Sequence, residues 1–190
     1  MKYSCLASIM LLFPFAPAAQ AAATLYVSVS GDNTTGADEA TAFVTIQAAV
    51  DAAATGDTVS VGEGIYAPFR AGNKAITIRS AGGPARTIID GGNTNRCATL
   101  GVPGTSKRND TPGTSTLLEG FTLRNGRADA GTNEVDAASG GGAFGGTLAD
   151  CVITNCFATY TGGGAHRSET RGCVFVSDTA SHGGGTYTCN

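Results

Sequence analysis

Apolar residues alternate with polar ones in short segments along most of the chain. The alternation is clear at 25–30 (LYVSVS), 58–61 (TVSV), 75–80 (AITIRS) and 87–92 (TIIDGG), and weaker at 97–100 (CATL). Because side chains of a β-strand point to opposite faces in turn, this period predicts short strands, and the glycines between the segments predict turns.

One segment has the period of a helix instead. Its apolar residues are spaced to share one face of a helix: Ile46, Ala49, Val50 and Ala53. Thr45 is a suitable N-cap for this helix, and Gly56 is a suitable residue to end it. We expect this short helix to cap the strand-rich remainder.

Three later segments repeat one another without a gap: 118–128 (LEGFTLRNGRA), 148–158 (LADCVITNCFA) and 170–180 (TRGCVFVSDTA). Each is followed by three glycines. The last two copies are 22 residues apart and the first two 30 apart, so we assign the excess to an inserted loop at 129–139. A strand repeated at this period is typical of a solenoid, in which each copy buries its apolar face on the next.

Stacking of the copies makes specific neighbours. We expect two inward columns and one ladder of corner amides: Phe121, Cys151 and Cys173; Leu123, Ile153 and Phe175; Asn125 and Asn155. Leucine-rich repeats have similar periods but need Leu at several fixed sites, and Leu is scarce here. The sequence therefore predicts an all-β parallel β-helix of about 22 residues per coil with a short N-terminal capping helix.

Two regions resemble a known family. The stretch from Leu25 to Tyr66, with its Thr-Ile-Gln helix and Gly-Asp-Thr-Val strand, resembles the N-terminal cap of secreted right-handed β-helix proteins of the pectin-lyase-like superfamily. The later copies resemble repeats of polymorphic outer membrane proteins. The resemblance implies a right-handed β-helix, with a cap and first coil at 24–66 and further coils at 67–190. That superfamily includes lyases, hydrolases, adhesins and autotransporter passengers, so the activity stays open.

The chain begins like an exported protein. Residues 1–21 combine Lys2, an apolar stretch from Leu6 to Ala16 and an Ala-Gln-Ala cleavage pattern, which predicts a secretory signal peptide. We expect a secreted or outer-surface protein with no transmembrane helix after cleavage. The C-terminal segment 183–190 offers no cover for a solenoid end, so we expect a fragment of a longer solenoid or a cap from another chain. The chain has 12 basic and 15 acidic residues without a basic stripe, which argues against a nucleic-acid partner.

Export would leave an odd number of cysteines in an oxidising compartment: Cys97, Cys151, Cys156, Cys173 and Cys189. Stacked on neighbouring coils about 4.8 Å apart, Cys151 and Cys173 would be close enough for a disulfide. A column of buried free thiols is an equal alternative, and a Cys151–Cys156 bridge is a weaker one.

Candidate chemistry is sparse. The inserted loop carries Asp129, Glu134 and Asp136, which are weak candidates for binding Ca²⁺, and otherwise no cofactor is expected. Lyases of the resembled superfamily hold Ca²⁺ with carboxylates on adjacent coils. In the repeat Asp150 aligns with glycines, so we expect no such row of carboxylates at this position. His166 and His182 do not align with each other, and the alignment shows no nucleophile beside a base. Catalytic residues are therefore unknown.

These patterns lead to an expected function. We expect a non-catalytic exported module that contacts a polysaccharide or a surface partner through its side wall. The alternative is a polysaccharide-active enzyme, a lyase or glycoside hydrolase, whose catalytic coils are not evident in this chain. Acidic residues clustered on adjacent coils would favour the enzyme.

Overall fold

A computed structural model describes residues 21–103, 115–129 and 136–187. Residues 1–20, which are all but the last residue of the predicted signal peptide at 1–21, and Glu134 lie outside the described residues. The described residues form one helix, α1 (Ile46–Ala52), and nineteen strands. The strands are β1 (Thr24–Val27), β2 (Thr58–Val61), β3 (Gly64–Tyr66), β4 (Phe69–Arg70), β5 (Thr77–Ser80), β6 (Thr87–Asp90), β7 (Ala98–Thr99), β8 (Leu117–Glu119), β9 (Thr122–Arg124), β10 (Arg127–Ala128), β11 (Ala143–Phe144), β12 (Thr147–Ala149), β13 (Val152–Thr154), β14 (Phe157–Thr161), β15 (Ala165–His166), β16 (Glu169–Arg171), β17 (Val174–Val176), β18 (Thr179–His182) and β19 (Thr186–Tyr187).

The strands form four sheets, and every strand pair in them is parallel. Sheet 1 has the order β1-β2-β5-β8-β12-β16, sheet 2 β3-β6-β9-β13-β17, sheet 3 β4-β7-β11-β15-β19 and sheet 4 β10-β14-β18. Successive strands along the chain belong to sheet 1, sheet 2 and sheet 3 in that order, and this order repeats; in the later repeats a strand of sheet 4 precedes that of sheet 3. We call one such passage a row, and there are five: β2–β4, β5–β7, β8–β11, β12–β15 and β16–β19. This mostly β arrangement of the described residues, with parallel sheets and one helix, is compatible with the predicted solenoid.

The predicted columns are confirmed by the pairing register. Ile153 pairs with Leu123 on one side and Phe175 on the other, and Cys151 lies one residue before the paired Val152. The side chains of Phe121, Leu123 and Ile153 are fully buried in one core that runs through the rows. The gap-free alignment therefore identified residues that contact one another, including the 30-residue step across the inserted loop.

The helix forms as predicted but ends earlier. Thr45 accepts a hydrogen bond from the Ala48 amide at 3.2 Å, and the apolar face packs on β1, β2 and β4. The helix ends at Ala52, before Gly56, since Ala53 is already extended. Lys74 explains this end, because its ammonium donates to the carbonyls of Val50 at 2.6 Å and Ala53 at 2.9 Å. A cation at a helix C-terminus satisfies carbonyls that have no helical partner.

The glycine triplets lie where neighbouring rows approach closely. Gly162 has φ of 58°, a left-handed conformation that turns the chain toward sheet 3. A Cβ on the following Gly163 would lie 2.4 Å from the carbonyl oxygen of Thr179 and 2.5 Å from that of Gly184. The repeated glycines are therefore required by backbone packing between rows.

The predicted amide ladder is also present. Asn155 donates to the Oδ1 atom of Asn125 at 2.7 Å, and Asn125 donates in turn to Asp90 at 3.1 Å. Both asparagines have positive φ, 52° at Asn125 and 53° at Asn155, which asparagine tolerates better than most residues. The ladder thus joins three successive rows at one corner.

We expect Asn155→Ala to lower the free energy of unfolding by about 1–2 kcal/mol, because it removes the ladder hydrogen bond and places alanine in a left-handed conformation. Urea denaturation of the two proteins measures this difference. Asn155→Gly is the matched control, since glycine keeps the backbone conformation and loses only the hydrogen bond. Equal stability of Asn155→Ala and wild type would contradict a structural role for the ladder.

Candidate functional site

Two of the three predicted metal ligands, Asp129 and Asp136, are described, and each lies beside an arginine. Asp129 is exposed, pairs with Arg127 at 2.7 Å and accepts a hydrogen bond from Thr159 at 3.0 Å. The hydrogen bond from Arg127, followed by that from Thr159, lowers the pKa of Asp129. Asp136 is buried and faces Arg167 at 3.3 Å. Within the described residues, no group of three or more His, Cys, Asp or Glu is arranged to hold a metal ion, and calcium binding stays a prediction.

Asp136 belongs instead to a buried polar cluster beside sheet 3, which we define as Asp136, Ser139, Thr161, His166 and Arg167. The Nε2 atom of His166 lies 3.6 Å from Asp136. The Nδ1 atom of His166 lies 3.0 Å from the hydroxyl of Thr161, which lies 2.8 Å from that of Ser139. The histidine is thus flanked by a carboxylate on one side and two hydroxyls on the other.

The polar cluster is too deeply buried to act on a substrate. His166 is 4% exposed and Ser139 is 0% exposed, so the hydroxyls are closed to a substrate. Burial lowers the pKa of His166 to about 4, while Asp136 acts in the opposite direction and Arg167 adds to the lowering. A neutral imidazole in a closed hydrogen-bond network fixes the end of the inserted loop on sheet 3. The cluster is therefore a structural support for the neighbouring surface.

An aromatic column runs over the same face of sheet 3. The ring of His166 lies 5.7 Å from that of Phe144 and is stacked on Tyr187 at 5.8 Å. Their register follows the strand pairing of β11, β15 and β19. His166 and Tyr187 therefore occupy equivalent positions in adjacent rows.

Arg96 joins the polar cluster to the surface. Its guanidinium lies 5.0 Å above the Phe144 ring and donates to the carbonyl oxygens of Asp136 at 2.7 Å, Ser139 at 2.6 Å and Gly140 at 2.8 Å. Burial, followed by the charge of Arg70, lowers the pKa of Arg96 to about 10, so the side chain is charged at neutral pH. One arginine thereby holds the end of the inserted loop against sheet 3.

Beside Arg96 an open groove lies between α1 and the edge of sheet 3. It has a volume of about 290 Å³ and its lining includes Gln47, Pro68, Arg70, Asn95, Arg96 and Thr99. Gln47 is fixed by two hydrogen bonds to the backbone of Arg70, at 2.8 Å and 3.1 Å. Arg70 is exposed and makes no ion pair within the described residues. The groove therefore combines positive charge with amide and hydroxyl groups.

The cysteines lie where the stack places them. The four cysteines in the described ranges are thiols, with Cys97, Cys151 and Cys156 buried and Cys173 half-buried. Cys151 and Cys173 lie on neighbouring rows, and their interaction raises the pKa of Cys151 and lowers that of Cys173. Their disulfide stays a prediction. A second thiol contact, between Cys156 and Cys97, was not predicted from the sequence.

Sequence reasoning missed the groove and the polar cluster. Arg70 and Arg96 are isolated in the sequence and carry no motif. Nothing in the polar residues of the inserted loop indicates burial, yet Asp136 and Ser139 at its end are buried. The one available signal was the Ala-Ala pair at 137–138, which lies between Asp136 and Ser139.

No family model, curated protein or solved structure matches the chain. No helix among the described residues is both long and apolar enough to cross a membrane. The site's own chemistry is therefore the basis for the proposal that follows.

Proposed function

We propose that the chain is an exported right-handed parallel β-helix that contacts an anionic polysaccharide through the groove beside α1, without cleaving it. Support for the architecture comes from the five rows of parallel strands and the resemblance at Leu25 to Tyr66. Support for export comes from the signal-peptide pattern at 1–21. The observation that carries the ligand assignment is the groove with Arg70 and Arg96 on its wall.

The groove suits a sugar that bears a carboxylate. An exposed guanidinium presents two parallel N–H donors that match the two oxygens of a carboxylate. Asn95, which is exposed on the wall of the groove, offers an amide group for sugar hydroxyls. A volume of about 290 Å³ is at the small end of ligand pockets, which fits one sugar unit with the rest of the polymer on the outer surface. The ligand class is thus a polyuronate.

We expect Arg70→Ala to weaken binding of polygalacturonate or alginate by about tenfold, the effect of losing one charge-assisted contact. Affinity gel electrophoresis or calorimetry at low salt measures the dissociation constant. Arg79→Ala, which removes an exposed arginine on sheet 1, is the matched control and is expected to bind like wild type. If the wild-type protein binds neither polymer, the proposed ligand class is wrong.

A polysaccharide lyase is the second candidate, and the arginines of the groove favour it, because lyases of the resembled superfamily use Lys or Arg as a base. We expect no rise in the ultraviolet absorbance of unsaturated products when the protein is incubated with polygalacturonate or alginate and calcium. A clear rise that is lost in Arg70→Ala would overturn the non-catalytic assignment and keep the groove as the site.

A further inference from the structure

The thiol pairs differ in how many rows separate them. Cys151 precedes Val152 and Cys173 precedes Val174, and these valines pair directly. The amide of Val174 donates to the carbonyl of Cys151 at 2.9 Å. Their α-carbons are thus separated by one strand spacing of about 4.8 Å, inside the range of about 4.4–6.8 Å that a disulfide spans.

Cys97 and Cys156 are two rows apart. Cys97 belongs to the β5–β7 row, in which it comes directly before β7. Its amide donates to the carbonyl of Gly141 in the next row. Cys156 belongs to the β12–β15 row, in which it comes directly before β14. The first residue of β14, Phe157, pairs with Arg127 in the preceding row. Two strand spacings amount to about 9.6 Å, beyond the limit of about 7 Å for a disulfide without backbone movement.

Glycines in the intervening row explain how these two sulfurs still meet. A Cβ on Gly126 would lie 2.9 Å from the Cys97 sulfur, and a Cβ on Gly142 would lie 3.3 Å from the Cys156 sulfur. The missing side chains leave room for both thiols at the level of the row between them. Proximity of the two sulfurs therefore does not imply that a disulfide can form. The number of rows between the cysteines decides it, because that number sets the distance between their α-carbons.

The two cysteine pairs also differ in exposure to solvent. Cys97 and Cys156 are both buried, whereas Cys173 is half-buried and can be reached from solvent. Interaction with the Cys151 side chain lowers the pKa of Cys173 to about 7. The thiolate is the nucleophile in thiol–disulfide exchange, so Cys173 is suited to be the first thiol to react.

We propose that Cys151 and Cys173 are an oxidation site, which forms a disulfide between the β12–β15 and β16–β19 rows when the protein meets a small or protein disulfide, while Cys97 and Cys156 stay reduced. The Cys173 thiolate attacks one sulfur of the oxidant and releases a thiolate. Cys151, on losing its proton, attacks the Cys173 sulfur of the mixed disulfide and releases the second thiolate. Two protein thiols are oxidised, the oxidant is reduced to two thiols, and those two thiols carry the two protons.

The test is oxidation of the folded full chain with oxidised glutathione, followed by alkylation of the remaining thiols and tryptic peptide mapping without reduction. We expect a linked pair of peptides, 128–167 with 172–190, and fragment ions that place the bond at Cys151 and Cys173. Cys97 is expected to be alkylated only after unfolding. A bond at Cys97–Cys156, a bond that uses Cys189, or no bond after prolonged oxidation would overturn the proposal.

Matched variants separate the site from general oxidation. Cys151→Ala is expected to abolish the linked peptides and to leave Cys173 as a stable mixed disulfide with glutathione. Cys156→Ala is expected to form the Cys151–Cys173 bond at the wild-type rate. Should either variant fail to fold, the position of the bond in the wild-type map still decides the outcome. Because oxidation and polysaccharide binding are measured separately, failure of one does not imply failure of the other.

Discussion

Replacing Arg96 with methionine is expected to lower the free energy of unfolding by about 2–4 kcal/mol. Methionine keeps much of the side-chain volume and the contact with Phe144 but donates no hydrogen bond. The carbonyls of Asp136, Ser139 and Gly140 would then lose their charged partner. Buried carbonyls without a partner are costly, and hydrogen bonds to a charged group are stronger than neutral ones. Urea unfolding at neutral pH measures the loss.

Arg86 offers a matched control for this experiment. Its salt bridge with Glu63 is 2.8 Å long, but the two side chains are 64% and 53% exposed. Exposed ion pairs contribute about 0–1 kcal/mol, so Arg86→Met is expected to unfold within about 1 kcal/mol of wild type. Equal losses in the two variants would show that the Arg96 contacts do not stabilise the inserted loop more than a surface ion pair would.

The repeat made most of the later fold predictable from the sequence. Because parallel rows place equivalent residues directly over one another, a gap-free alignment is also a contact map, and it identified the neighbours of Ile153 and Asn155. The same logic identified Cys151 and Cys173 as adjacent. Strands that carry no repeat were harder to predict, and β3 and β4 were not recognised, since Gly64–Tyr66 and Phe69–Arg70 are too short to show a period.

The candidate site was not predictable by the same means. Arg96 contacts carbonyls 40 to 44 residues later in the chain, and that contact depends on how the inserted loop folds back on sheet 3. An insertion has no equivalent in the neighbouring copies, so alignment gives it no partner. The Cys97–Cys156 contact escaped prediction for a related reason, because it crosses a row whose glycines, Gly126 and Gly142, contribute no side chain to the alignment.

The buried histidine predicts a loss of stability in acid. The pKa of His166 is lowered from 6.5 to about 4 by burial, whereas an unfolded chain protonates this histidine near the ordinary value. Between these two values the unfolded state therefore binds more protons than the folded state, so stability is highest above the unfolded pKa and falls as pH falls toward 4. The full effect is about 3 kcal/mol, most of which is lost between neutral pH and about pH 4.5. Urea unfolding across this range measures it.

The control must separate His166 from other groups that titrate in the same window. Burial raises the pKa of Asp178 to about 6, and protonation of that carboxyl favours the folded state as pH falls, which opposes the histidine effect. The difference between wild type and His166→Gln cancels this contribution, because glutamine is neutral throughout and Asp178 is present in both. His182→Gln removes an exposed histidine and is expected to follow the wild-type pH profile. A His166→Gln profile parallel to that of wild type would contradict a neutral, buried imidazole between Asp136 and Thr161, because such an imidazole must acquire its proton on unfolding.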